Sequence, residues 1–99
     1  MNTLERLRQG DRRLLILQTL AQTPGYGVNE GVLCDYLAAM KHPVGRDLLR
    51  TELAWLAEQG LASTESFEGV VVATLSARGL DVAEGRVVVP GVKRPGPEA

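Results

Sequence analysis

The chain has 99 residues, of which 44% are hydrophobic and 23% are charged, and its formal net charge is −1. These values are typical of an ordinary globular protein with one core, and they exclude the strong positive excess that alone would indicate nucleic-acid binding. The single cysteine, Cys34, excludes an internal disulfide and a zinc ribbon. We find no signal-peptide pattern and no apolar run of membrane-spanning length, so we expect a cytoplasmic protein that makes no membrane contact.

Residues 3 to 22 predict one long helix or two abutting helices, with Gly10 as a candidate break and Asp11 as the cap of the second half. Its apolar positions are Leu4, Leu7, Leu14, Leu15, Leu17, Leu20 and Ala21. Its basic cluster comprises Arg6, Arg8, Arg12 and Arg13. A solvated helix face is the simpler interpretation of that cluster, and contact with phosphates is the functional alternative.

Thr23 to Gly27 interrupt the helical pattern, because Pro24 cannot continue a helix, and Tyr26 to Val28 are a candidate edge strand. Asn29 is the predicted cap of a second helix that runs from Glu30 to about Met40. Its predicted buried face consists of Val32, Leu33, Tyr36, Leu37 and Met40. Cys34 lies beside that face with no base to activate it, and residues 41–45 form a turn in which we expect His42 to be solvated.

The third helix is predicted from Arg46 to about Gln59, with Gly45 as its N-cap and Gly60 as its stop. Leu49, Leu53 and Leu56 form its buried seam. The predicted outward face carries Asp47, Leu48, Thr51, Glu52, Trp55 and Glu58. An exposed Leu48 and Trp55 would be unusual on a helix that only reads bases, so they indicate a partner surface or a neighbouring helix.

Leu61–Ser66 and Val70–Leu75 flank Phe67-Glu-Gly69 and predict a β-hairpin, with Gly69 supplying a positive φ. Ser76 is the predicted cap of a short last helix, from Ala77 to Glu84, that Gly85 ends. The pattern predicts an α+β, mainly α fold with a two- to three-stranded antiparallel sheet. We divide the chain into a domain over residues 1–85 and an extended or flexible tail over residues 86–99, where three prolines bar regular structure. Val87 to Val89 could still lie against the body of the domain.

This element order resembles the winged helix-turn-helix regulators of the ArsR and MarR type. The resemblance is carried by Leu49–Leu61, similar to their third helix and entry to the wing, and by Thr74-Leu-Ser-Ala-Arg-Gly79, similar to the entry to their last helix. With Asp11-Arg-Arg-Leu, Pro24-Gly-Tyr and Val89–Pro95, the whole chain resembles a family of small proteins encoded in Mu-like phages and prophages. The resemblance implies a location in the bacterial host cytoplasm.

The regulator pattern implies a homodimer that binds double-stranded DNA and regulates transcription, with the helix over residues 46–59 in the major groove. The DNA-binding residues that follow are Arg46, Arg50, Thr51, Lys41, His42, Arg12 and Arg13. Glu65 and Glu68 depart from the pattern, because phosphates would repel an acidic wing. The alternative is a non-catalytic protein-interaction module that binds a second copy or another phage protein through Leu4, Leu7, Leu48 and Trp55. We find no catalytic constellation, metal-binding pattern or cofactor motif, so neither an enzyme nor a cofactor is expected.

Overall fold

The computed structural model describes residues 1–96, and its elements follow the predicted order. They are α1 (Thr3–Gln22), a one-turn 3₁₀ helix (Pro24–Tyr26), β1 (Gly27–Asn29), α2 (Glu30–Ala39), α3 (Arg46–Glu58), β2 (Ala62–Phe67), β3 (Val70–Leu75) and α4 (Ala77–Ala83). The three strands form one antiparallel sheet in the order β1-β3-β2. The protein is therefore a mainly helical α+β fold, and this arrangement is compatible with a winged helix.

Helix α1 is one continuous helix, so Gly10 does not break it and the prediction that Asp11 caps a second helix was wrong. The N-cap is Asn2, whose side chain accepts from the Glu5 amide at 2.8 Å while the Glu5 carboxylate accepts from the Asn2 amide at 3.0 Å. This capping box satisfies two amides that the first turn would leave without partners. The tail approaches α1 at Gly10, whose carbonyl accepts from the Lys93 amide at 3.1 Å.

The hairpin of β2 and β3, which we call the wing, has the predicted position. Its two strands pair from Ala62 with Leu75 to Phe67 with Val70. Glu68 and Gly69 form the turn with φ values of 52° and 81°. A two-residue turn with two positive φ angles matches the right-handed twist of the flanking strands, and it sets the register of the hairpin. The wing tip is therefore short and closely held.

The core contains the seam of α3 that the heptad-like spacing predicted, since Leu49, Leu53 and Leu56 are buried. The predicted face of α2 was partly wrong. Only Leu33 and Leu37 of that set are buried; the exposed members are Val32, Tyr36 and Met40. Helix α2 packs against α1 and α3 along one narrow line, and residues at i, i+4 and i+8 from Val32 lie about 100° away from it.

The predicted domain ended at residue 85, but part of the tail also packs against it. Residues 86–96 contain no helix or strand, as the prolines predicted, yet Val89 and Val92 are buried in the core beside α1 and α4. The last three residues of the predicted tail lie outside the described residues. Within residues 1–96, no helix is long and apolar enough to cross a membrane.

Candidate nucleic-acid interface and its buried ion pairs

The first residue of α2, Glu30, joins α2, α3 and the wing. Its carboxylate is fully buried and accepts from Arg50 Nε and Nη2, each at 2.7 Å, and from the Val71 amide at 2.9 Å. Arg50 Nη2 also donates to the Gly69 carbonyl at 3.1 Å, and Arg46 Nη1 lies 3.8 Å from Glu30 Oε2. One carboxylate thus fixes the angle between the third helix and the hairpin.

This geometry stabilises the charged form of the Glu30 carboxyl. The Arg50 hydrogen bonds, followed by the Val71 amide, lower the pKa of Glu30 from 4.5 to about 2. The same contact raises the pKa of Arg50. Arg50, predicted to read bases, therefore has Nε and Nη2 engaged inside the protein, although 43% of its side chain remains exposed.

A second buried carboxylate, Glu52, overturns part of the predicted outward face of α3. Glu52 is 1% exposed, and its Oε2 accepts from Arg12 Nε at 2.9 Å and Nη2 at 2.7 Å. Its Oε1 accepts from Arg13 Nε at 2.7 Å. Helix α1 covers this side of α3, so the prediction that Glu52, Arg12 and Arg13 face solvent was wrong. These two guanidinium groups pair with a buried acid, which leaves only a small part of each side chain open to solvent.

Trp55 has neighbours within its own chain. The Arg13 guanidinium lies 3.8 Å from the centroid of the indole ring, and Arg13 Nη1 donates to the Gly91 carbonyl at 3.2 Å. A Cβ at Gly91 would lie 2.9 Å from the same ring, so the tail approaches Trp55 as closely as a glycine allows. Trp55 is half-buried as a result, and α1 with the tail supplies the neighbour that its position on α3 required.

His42 was predicted to be solvated, and this was wrong. Its side chain is 11% exposed, with Nε2 at 2.7 Å from Asp11 Oδ2, while Lys93 Nζ lies 3.6 Å from Asp11 Oδ1. Asp11, near the middle of α1, thus pairs with a residue of the turn that precedes α3. The pattern of the sequence missed this pair because the two residues are 31 positions apart.

The remaining predicted DNA-binding residues lie in the first half of α3 and in the turn before it, and they are open to solvent. Arg46 has 57% of its side chain exposed, and Lys41 and Thr51 are also exposed. The Thr51 hydroxyl donates to the Asp47 carbonyl at 3.1 Å. On the other candidate surface, Leu48 is 41% exposed; Leu4 and Leu7 are each 66% exposed.

Within the described part of the chain, no group of three or more His, Cys, Asp or Glu side chains could hold a metal ion. Cys34 is partly buried, and burial is the main cause that raises the pKa of its thiol. A raised pKa leaves less of the nucleophilic thiolate at neutral pH.

The fold and these ion pairs define a class of small, mainly helical α+β protein in which buried carboxylates fix α1, the wing and α2 against α3. The chain is 51% identical over 89 residues to a protein of Escherichia phage Mu described as "Uncharacterized protein gp26", covering 90% of this chain and 92% of that protein. It belongs to the family of phage Mu gp26, so the predicted resemblance to proteins of Mu-like phages is confirmed. An uncharacterized protein of Haemophilus influenzae is 42% identical over 71 residues, which cover 71% of this chain and 69% of that protein. No protein-family model and no solved structure matches the chain.

Proposed function

We propose that the chain is a winged-helix DNA-binding protein of a phage or prophage that regulates transcription. The observation that carries the proposal is the exposed start of α3, where Arg46 and Thr51 share a helix with Arg50 and follow the turn containing Lys41. The first two turns of such a helix can reach base edges when the helix enters the major groove by its amino-terminal end. An arginine there, such as Arg46, can donate two hydrogen bonds to guanine.

The buried Glu30 supports this proposal by holding the helix and its arginine in place. Arg50 Nε and Nη2 are fixed on Glu30, so the guanidinium plane has one orientation in which it can meet the duplex. Arg46, which lies farther from the carboxylate, is the principal base contact in this proposal. Because Arg12 and Arg13 are buried on Glu52, neither is a phosphate contact in this proposal.

The test is a comparison of Arg46→Ala with Arg78→Ala on a duplex selected from a random pool and on a scrambled duplex. Arg78 lies on α4, where its Nη1 donates to the Gln59 carbonyl at 2.8 Å at the far end of α3. Its loss removes the same charge from another place together with that one hydrogen bond, so circular dichroism checks that both variants are folded. Arg46→Ala should cost about 1–3 kcal/mol, or roughly 5- to 150-fold, on the selected site only. Arg78→Ala should change affinity for either duplex by less than about threefold.

Two results would contradict the proposal. The first is a selection that enriches no sequence. The second is an equal loss on both duplexes for Arg46→Ala, which would mean that the residue contacts phosphate without reading bases.

The second candidate function is protein interaction on the same scaffold, which exposed apolar side chains favour. Leu4 and Leu7 lie on the first two turns of α1, each 66% exposed, and Phe67 is 71% exposed at the wing tip. Leu4 and Leu7 are three residues apart and so are neighbours on the helix surface, and neighbouring exposed apolar side chains are typical of a contact surface. A second copy and another phage protein are the partners that the sequence suggested, and the mass in solution separates the homodimer from a monomer.

A further inference from the structure

The wing tip combines an exposed aromatic side chain with negative charge. Phe67 and Val70 are cross-strand partners, and partners share a face of the sheet; they are 71% and 37% exposed. Glu65, two residues before Phe67, lies on that face as well, and Glu68 is in the turn. Residues 62–75 contain no lysine or arginine, so the wing tip is both apolar and acidic.

A groove with the opposite charge lies beside the first half of α1. It has a volume of about 510 Å³, and its apolar part is formed by Leu7 and Val92 together with Gly10, which contributes no side chain. Arg6, Arg8 and Lys93 also line it. Asp11 is the acid in the lining; it lies 2.7 Å from His42 and 3.6 Å from Lys93, so Arg6 and Arg8 carry the net positive charge of the groove. Apolar and basic side chains thus line this α1 groove together, with one acid.

The wing tip and the α1 groove of one chain cannot meet. The wing tip is held at the start of α2, where Arg50 binds the Gly69 carbonyl and Glu30 binds the Val71 amide. The groove lies past the end of α2, where His42 lines it. The ten residues of α2 separate these two places by about 15 Å. The Glu68–Gly69 turn of the wing is too short to span that distance. A wing tip that enters an α1 groove must therefore come from another molecule.

We propose that the wing tip of one copy docks in the α1 groove of a second copy. Phe67 then packs on Leu7 and Val92, where the neighbouring arginine side chains can stack on its ring, and Glu65 and Glu68 face the basic residues of the groove. The two surfaces differ, so the contact is head-to-tail: each copy offers a wing tip at one end of α2 and a groove at the other. Contacts of this kind produce rings or open chains of molecules instead of a closed twofold dimer. The proposal does not depend on DNA binding.

The experiment uses sedimentation velocity of the full chain and of two variants that each remove one side of the contact. Phe67→Ala removes the aromatic anchor and leaves the groove intact. Leu7→Glu places an acid in the groove and leaves the wing intact. Both positions are exposed, so both variants should fold, which circular dichroism checks. Glu65→Lys is a second wing variant with the opposite charge, and Val88→Ala is the control for loss of an exposed apolar side chain outside both surfaces.

The wild type and Val88→Ala should form species larger than a dimer as concentration rises, and fewer of them as salt rises. Each wing or groove variant alone should be monomeric, with association weakened at least about tenfold. An equal mixture of Phe67→Ala and Leu7→Glu should form a dimer and nothing larger, because the mixture retains one intact wing and one intact groove per pair.

Three outcomes would overturn the proposal. A monomeric wild type at every concentration removes the contact altogether. A mixture that stays monomeric means that the two surfaces do not meet. Assembly of Phe67→Ala equal to that of the wild type, together with loss in Leu7→Glu, shows instead that the amino-terminal halves of α1 pair with each other.

Discussion

Replacement of Glu52 by glutamine tests whether the buried carboxylate is needed to keep α1 on α3. The substitution preserves the size of the side chain but removes its charge, which leaves Arg12 and Arg13, only 12% and 10% exposed, without a counter-ion. Removing one partner of a buried ion pair costs about 3–5 kcal/mol, mainly because the remaining charge stays desolvated. A domain of this size has roughly 5–15 kcal/mol of total stability, so the loss would be a large fraction of it.

Thermal and urea unfolding followed by circular dichroism measure this effect. From the 3–5 kcal/mol loss we expect the midpoint temperature to fall by roughly 12–40 °C. Glu58→Gln is the matched control, because Glu58 lies on the same helix and is exposed; its effect should stay within about 0.5 kcal/mol. If Glu52→Gln unfolds within about 1 kcal/mol of the wild type, the two arginines find water or other partners and the reasoning about a buried charge is refuted.

Two further predictions concern stability. Gly79→Ala should destabilise the protein by about 1–3 kcal/mol or more, because the new Cβ would overlap the Leu61 carbonyl oxygen. Gly10→Ala is the control: it lies inside α1, its Cβ would come no closer than 3.4 Å to a neighbouring atom, and it should not destabilise the protein in the same unfolding assay. Glu30 has a pKa lowered to about 2 from 4.5, so its contribution to stability is complete above about pH 4.5 and decreases as the pH falls towards 2. Urea titrations across that interval should show a smaller loss of stability with acid for Glu30→Gln than for the wild type; equal slopes would mean that the carboxyl titrates alike in the folded and unfolded chain.

The parts of the fold that the sequence predicted are those with local signals. The Leu49, Leu53 and Leu56 spacing defines the buried seam of α3, and the Asn29 and Ser76 caps mark two helix starts. The hairpin follows from two β-rich runs around a turn that tolerates positive φ. Each of these features depends on residues only a few positions apart, so a single sequence contains the information.

The ion pairs could not be predicted in this way, because no local pattern joins their members. Arg12 and Glu52 are 40 residues apart, and Arg50 and Glu30 are 20 residues apart. Glu52 lies at the edge of the α3 seam, three residues after Leu49 and four before Leu56. A glutamate at such an edge is normally solvated, and its two arginine partners on α1 are what allow its burial. Helix α1, with the tail, also covers Trp55. Long-range packing therefore decided which charges of the candidate site are available to a partner.

The pairing of arginines with buried carboxylates links the proposed DNA binding with the proposed head-to-tail assembly. Three arginines near α3 are engaged with buried carboxylates, which leaves one copy with only a small set of exposed bases, such as Arg46 and Lys41, near the start of the helix. Each phosphate contact changes the slope of log affinity against log salt by about 0.9, so a single copy should bind duplex DNA weakly and with a shallow slope.

Head-to-tail assembly would present several α3 helices on one particle. Once one α3 helix is bound to a duplex, the effective concentration of the next α3 helix near that duplex is higher. The acidic wing, which opposes binding by a lone copy, would then be neutralised in the groove of its neighbour. Assembly and DNA affinity should therefore rise together, and Phe67→Ala should reduce DNA affinity although Phe67 itself would be hidden from the duplex.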